Sequence, residues 1–181
     1  MKRKVKITLV AVICIYGVTV AGVNIADLKV GFDYDDTLIF STPAFRAGAA
    51  SGQESYSEGY WRVVNQSFNV EKVKLVPMSI ALIYKALGFD VVIITARQGY
   101  GGEELQEHWK WLAKEFHFER NKSSILEKGS FVAFFGDSDS DITEALEAGV
   151  RPIRVKRSKK SDYTGKYHPG QYKEFILPFS D

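Results

Sequence analysis

Carboxylates dominate the residues of this chain that could do chemistry. Asp33, Asp35 and Asp36 stand together in Val30-Gly31-Phe32-Asp33-Tyr34-Asp35-Asp36-Thr37. Asp137, Asp139 and Asp141 alternate with serines in Gly136-Asp137-Ser138-Asp139-Ser140-Asp141. Brought to one place, such clusters raise each other's pKa values unless a cation sits between them. Oxygen-only ligation points to magnesium or calcium rather than zinc, because His108, His117 and His168 show no metal-ligand spacing. The run from Asp137 imitates the opening of an EF-hand calcium loop. That loop needs glycine at its sixth position and glutamate at its twelfth. Ile142 and Ala148 stand there instead, and Leu38 fills the sixth position counted from Asp33. An EF-hand is therefore excluded.

Phosphoryl transfer is the chemistry that remains. A carboxylate beside magnesium can attack phosphorus and form an aspartyl-phosphate. A second carboxyl two residues later can protonate the leaving oxygen and then activate water. Thr95 offers a hydroxyl and a backbone donor, and a lysine would balance charge on the phosphoryl group.

The elements that must position these groups read as an alternation. Leu28 to Phe32, Val91 to Ile94, Phe131 to Phe135 and Pro152 to Val155 are short apolar runs of the buried-strand type. Helical spacing is expected from Pro77 to Leu87, stopped by Gly88, and from Asp141 to Ala148, stopped by Gly149. Leu105, Trp109, Leu112 and Phe116 share one helical face, which predicts a helix over Glu103 to Phe116. Trp109 and Trp111 cannot share that face, so one of them is exposed or at an interface. The stretch from Phe40 to Glu71 is polar, glycine-rich and aromatic, with Gly48 to Gly52 expected as a loop. Strands alternating with helices imply an α/β fold with a Rossmann-like parallel sheet and right-handed crossovers. Ligands in such sheets bind beyond the carboxyl ends of the strands, where Asp33, Thr95 and Asp137 stand.

The 181 residues suit one domain, expected over 23–181, with a small cap inserted at about 40–76. A net charge of +2 is too small to argue for nucleic-acid binding. Cys14 is the single cysteine, so no disulfide framework is available within one chain. Lys2, Arg3, Lys4 and Lys6 precede an uncharged apolar run from Ile7 to Val23. This is the layout of a secretory signal peptide over 1–22, with Thr19-Val20-Ala21 as an acceptable cleavage site. The rival reading is an uncleaved anchor, since the run is near the lower limit for spanning a bilayer core of roughly 30 Å. Ile13 is too bulky beside Cys14 for lipoprotein processing. The first reading implies a periplasmic or secreted protein, and the second one anchored to the membrane by its uncleaved segment.

The motifs together resemble the haloacid dehalogenase superfamily and, within it, the class B acid phosphatases of bacterial periplasms. Phe32-Asp33-Tyr34-Asp35-Asp36-Thr37 resembles the first motif, and Ile94-Thr95-Ala96-Arg97 the second, with alanine where the class B pattern has glycine. Gly136 to Ile142 resembles the last motif, and the family's phosphate-binding lysine falls on Lys122. The resemblance covers roughly Val30 to Asp181. It implies Asp33 as nucleophile and magnesium ligand, and Asp35 as general acid/base with its carbonyl on the metal. Asp137 would be a further direct ligand, with Asp141 behind it, while Thr95, Ala96 and Lys122 would hold the phosphate. Asp36 and Asp139 are read as structural. Phe45, Trp61 and Tyr163 match positions that stack a nucleoside or aryl leaving group, although Trp61 with Tyr60 could simply hold the cap together. Arg97 meets either substrate or an acid. Arg154, Lys156, Arg157, Lys159 and Lys160 could draw phosphate esters toward the site but are expected as a solvated basic loop.

Two departures from the family pattern stand out. Few residues separate Gly22 from Leu28, and Phe116 to Lys122 is short. Both weaken the homotetramer that the resemblance implies. The expected function is magnesium-dependent hydrolysis of phosphomonoesters, nucleotides included, with phosphoryl transfer to other alcohols from the same intermediate. The rivals are a class C-type acid phosphatase and a non-catalytic exported phosphate- or metal-binding protein. The wording of Gly136 to Ile142 disfavours the first, and retention of Asp33 and Asp35 the second.

Overall fold

The computed structural model describes residues 2–181, with side-chain environments for Thr8 and from residue 11 onward. The side chains of Lys2, Arg3, Lys4 and Lys6 lie outside the described residues. A six-stranded parallel sheet organises the molecule. Its strands are β1 (Lys29–Phe32), β4 (Asp90–Thr95), β5 (Glu115–Phe118), β6 (Phe131–Gly136), β7 (Arg151–Arg154) and β8 (Phe175–Ile176), in the order β5-β4-β1-β6-β7-β8. A separate antiparallel pair joins β2 (Ile39–Phe40) to β3 (Lys72–Val73). The central strands β1, β4 and β6 read as apolar runs because both faces of the sheet are covered. Phe32, Val91 and Ile93 pack on one face, and Val92, Ile94 and Phe134 on the other.

Helix α4 (Leu75–Ala86) begins two residues before Pro77, whose missing N–H is harmless in the first turn. Helix α7 (Asp139–Glu147) starts two residues earlier than expected, because Ser138 caps it. The Ser138 hydroxyl accepts from the Asp141 N–H at 3.2 Å, and the Asp141 carboxylate accepts from the Ser138 N–H at 2.9 Å. Between β2 and β3 lie α2 (Thr42–Ala50) and α3 (Glu58–Gln66), packed through Ala44, Tyr60, Trp61 and Val64. The loop expected over 48–52 is in part the end of α2, since Ala49 and Ala50 propagate a helix readily. Only Ser51 and Gly52 form the turn.

The largest correction concerns residues 103–116. Helix α5 spans only Glu103–Trp109, and Phe116 lies in the edge strand β5, paired with Ile93. Leu112 is buried in the intervening turn. The four apolar residues do face one core, but two elements supply them, so their helical spacing is coincidental. Trp109 is buried and Trp111 exposed, but Trp111 lies in the turn after α5 and not on a second helix face.

Helix α1 (Lys2–Ile25) stands out from the sheet, and Val12, Ile13, Ile15 and Val18 are exposed along it. The Tyr16 hydroxyl donates to the Ala86 carbonyl at 2.5 Å, and Val23 is buried. Among the described residues no helix is long and apolar enough to cross a membrane.

The expected solvated basic loop is one only in part: Lys156, Lys159 and Lys160 are exposed, but Arg154 and Arg157 turn inward. Arg154 is among the largest fully buried side chains. Its guanidinium donates to Glu174 at 2.9 Å, to Asp139 at 3.0 Å and to the Asp137 carbonyl at 2.8 Å. It thereby ties β7 to the loop that opens α7. Breaking a buried, hydrogen-bonded ion pair leaves its partners uncompensated. Arg154→Met is expected to lower unfolding free energy by about 3–5 kcal/mol in denaturant titrations, and a loss under about 1 kcal/mol would contradict this role.

Candidate active site

The acids meet beyond the carboxyl ends of β1 and β6. Strand β1 continues its ladder one residue past its end, the Asp33 N–H donating to the Phe135 carbonyl at 2.8 Å. This sets Asp33 beside Gly136 and Asp137. A Cβ at Gly136 would stand 2.2 Å from the Cβ of Asp141, so the last motif closes only around glycine. Asp33, Asp137 and Asp141 are buried, and one carboxylate oxygen from each lies within 4.8 Å of the others.

Two cations hold this cluster. Lys122 Nζ donates to Asp33 at 2.6 Å and to Asp141 at 2.5 Å, and Arg157 Nε donates to Asp137 at 2.5 Å. Burial pushes the Asp33 carboxyl well above its ordinary range; Lys122 opposes this, while Asp141, Asp137 and Asp35 add to it. Burial and then Asp141 raise Asp137 to about 7, against the pull of Arg157. Burial alone would strip Lys122 of its proton, but Asp141 and Asp33 outweigh it and keep the ammonium charged beyond its usual range. More carboxylates than cations share this dry space, and a hard divalent ion would relieve the imbalance.

Asp35 faces the other way. Arg97 Nε donates to its two oxygens at 3.1 and 3.0 Å, Arg97 Nη2 donates at 2.6 Å, and the Thr95 hydroxyl donates at 3.1 Å. Arg97 therefore pairs with acids, and Nη2 also reaches Glu71 at 2.5 Å. The Tyr34 hydroxyl donates to Glu71 at 2.5 Å and accepts from the Trp109 indole at 3.2 Å. Burial raises Glu71, with Arg97 opposing, and burial and Glu71 hold the Tyr34 phenol well above its ordinary range. Glu71 lay in the polar stretch before α4 and carried no local signal. Arg157 is likewise a site residue, hidden in the basic run.

The aromatic positions divide. The rings of Phe45 and Trp61 meet edge to face at 6.1 Å, and Phe45 lies 5.2 Å from the Arg97 guanidinium. Trp61 both packs the inserted helices and lines a cleft of about 550 Å³ with Ala96 and Arg97. Tyr163 is not brought to them. It is exposed, stands 4.5 Å from the Arg157 guanidinium and lines a different cleft with Ser138. Asp36 and Asp139 are structural: Ser161 donates to the first, and Arg154 and the His168 backbone to the second.

Lys74 joins the two halves of the site. It is buried, and its ammonium donates to the Asp36 carbonyl at 2.6 Å and the Lys156 carbonyl at 2.7 Å. The acid turn after β1 is thereby fixed to the segment carrying Arg157. Burial lowers Lys74 to about 8, against the pull of Asp137 and Asp36. Below that pH the ammonium is charged in both states; above it the unfolded chain binds more protons, so stability rises up to the unfolded value near 10.4. Relative to Lys74→Met, the wild type should gain about 2 kcal/mol of stability between pH 8 and 10 in paired denaturation curves, and a flat difference would contradict the burial of charge.

No protein-family model matches the chain. A class B acid phosphatase of Marinomonas sp. is 30% identical over 172 residues, which cover 84% of this chain and 72% of that protein. Solved structures share the fold at low identity. CbbY from Rhodobacter sphaeroides in complex with phosphate aligns with a TM-score of 0.60 at 12% identity, over 86% of this chain and 96% of that one. A HAD hydrolase of family IA from Entamoeba histolytica aligns at 0.55 and 14%, over 83% and 92%. The sheet order, the meeting of the acidic motifs and the sequence relatives agree: the chain belongs to the class B acid phosphatases, phosphomonoesterases built on the haloacid dehalogenase fold.

Proposed function

We propose that this chain is an exported, magnesium-dependent acid phosphatase that hydrolyses phosphomonoesters, nucleotides among them, through a phospho-aspartate on Asp33. The observation that carries this reading is the buried trio Asp33, Asp137 and Asp141, with Lys122 against two of them. Three carboxylates without nitrogen or sulfur donors suit magnesium, and a hard cation would relieve the burial-raised pKa values of Asp33 and Asp137. Asp33, Asp137 and the Asp35 carbonyl would hold the ion, with Asp141 behind them. Bound there, it would offset charge between the nucleophile and an anionic ester and on the transferring oxygens.

An Asp33 oxygen forms a bond to phosphorus as the ester bond to the leaving oxygen breaks. Asp35, released from Arg97, gives that oxygen its proton. Asp35 then takes a proton from water, whose oxygen bonds to phosphorus as the link to Asp33 breaks and phosphate leaves. Another alcohol in place of water would yield phosphoryl transfer. Lys122, Thr95 and the backbone at Ala96 hold the phosphoryl oxygens, while Phe45 and Trp61 offer faces to an aryl or nucleoside leaving group. The basic start and the exposed apolar side chains of α1 support a leader removed after Ala21 or Gly22 on export.

Protein beginning after residue 22 is expected to release phosphate from p-nitrophenyl phosphate and nucleoside monophosphates with magnesium, and to stop when EDTA is added. Asp33→Asn should lower kcat by about 10³-fold or more, and Asp35→Asn by about 10²–10⁴-fold. Activity surviving both EDTA and Asp33→Asn would overturn the mechanism. Mass measurement of the exported protein should find residues 1–21 or 1–22 missing; an intact, membrane-bound chain would favour an anchor.

A further inference from the structure

The cleft beside Ala96 and Arg97 is larger than a phosphoryl group requires. Its volume of about 550 Å³ lies within the roughly 300–1,000 Å³ usual for small-molecule sites. Tyr56, Trp61, Tyr100 and Phe118 supply aromatic walls, and Arg120 completes the lining. Arg120 follows β5 by two residues and precedes Lys122 by two, on the same sheet edge as the phosphate-holding groups. The Glu119 N–H donates to the Thr95 carbonyl at 2.9 Å, which extends the β4–β5 pairing up to Arg120.

Three features make this a built recess rather than a surface dent. First, its rim is fastened. Asn65 is fully buried on α3, and its side-chain amide donates to the carbonyls of Gln98 and Tyr100 at 2.8 and 2.9 Å. Second, the rim wraps Phe118 closely: a Cβ at Gly102 would stand 2.2 Å from that ring. Third, the lining carries an unpaired cation: the exposed Arg120 side chain makes no ion pair or hydrogen bond among the described residues. The neighbouring carboxylate, Glu119, is engaged by the Asn121 N–H at 2.9 Å.

A cleft with aromatic walls and an unpaired guanidinium is complementary to a planar group carrying an anion. We infer that Arg120 forms a second anion subsite, selecting phosphomonoesters whose aromatic leaving group bears a further negative charge, a carboxylate or a second phosphate. The inference rests on the proposed phosphatase reading for the position of the first phosphate. Arg120 binds the distal anion and takes no part in the chemical steps, so its effect falls on KM and on the choice between substrates.

The test compares 4-carboxyphenyl phosphate with phenyl phosphate in wild-type, Arg120→Gln and Arg120→Lys enzymes. Because the intrinsic reactivity of each ester is common to all three, the ratio of the two kcat/KM values isolates the subsite. Arg120→Gln should lower that ratio about tenfold, mainly through KM for the carboxylated ester, and Arg120→Lys should recover part of it. Calorimetry with 4-carboxybenzylphosphonate and benzylphosphonate in magnesium buffer reads the same preference without turnover. If neither ester is hydrolysed but the carboxylated phosphonate keeps an Arg120-dependent advantage, the phosphatase reading falls and the subsite stands. If the esters are hydrolysed but neither measurement shows a preference that depends on Arg120, the subsite is overturned.

Discussion

One ammonium group, that of Lys122, lets this active site exist. Burying three carboxylates within reach of one another is strongly unfavourable unless positive charge accompanies them. Lys122 stands between Asp33 and Asp141 at hydrogen-bond distance from both, and is itself buried. Its own desolvation is offset only because those two acids surround it. The backbone around it follows from the same constraint. The Lys122 N–H donates to Glu144 on α7 at 2.6 Å, so the lysine's segment is fixed to the helix that carries Asp141. The Ser138 capping box then sets the Asp141 carboxylate toward the sheet. Gly136 admits it there, because any side chain at that position would collide with Asp141.

The second acid is managed by a different device. Asp35 lies outside the Lys122 cluster, within a chain that runs through Arg97 and Glu71 to Tyr34 and Trp109. Glu71 precedes β3, at the edge of the inserted helices, so the hold on Asp35 is shared between the sheet and the insert. Two carboxylates two residues apart thus sit in separate electrostatic settings. This is the arrangement that a nucleophile and an acid/base partner require.

Much of this was legible in the chain. Asp33 and Thr95 stand directly after β-branched or aromatic runs and Asp137 one glycine beyond such a run, and those runs are in the central strands β1, β4 and β6. Their burial on both faces makes the hydrophobic signal continuous. Lys122 could be found only through the resemblance, since nothing local marks one lysine among many. What escaped lies where side chains act across the fold. Arg154 and Arg157 look like solvated charges in sequence, yet Asp139, Glu174 and Asp137 reach them from distant segments. Glu71 and Lys74 were invisible for the same reason. Phe116 mimicked a helical position because the alternation of Glu115, Phe116, His117 and Phe118 is only four residues long and follows apolar residues that happen to stand at helical spacing.

In the proposed mechanism Asp33 bonds to phosphorus while Lys122 and its neighbours hold the charge. The most direct measurement is mass spectrometry of enzyme mixed with substrate and quenched in acid within one turnover. One phosphoryl group should appear on the peptide containing Asp33, and none should appear in Asp33→Asn. Turnover with the phosphoryl group on another residue, or an active Asp33→Asn enzyme that carries none, would contradict it.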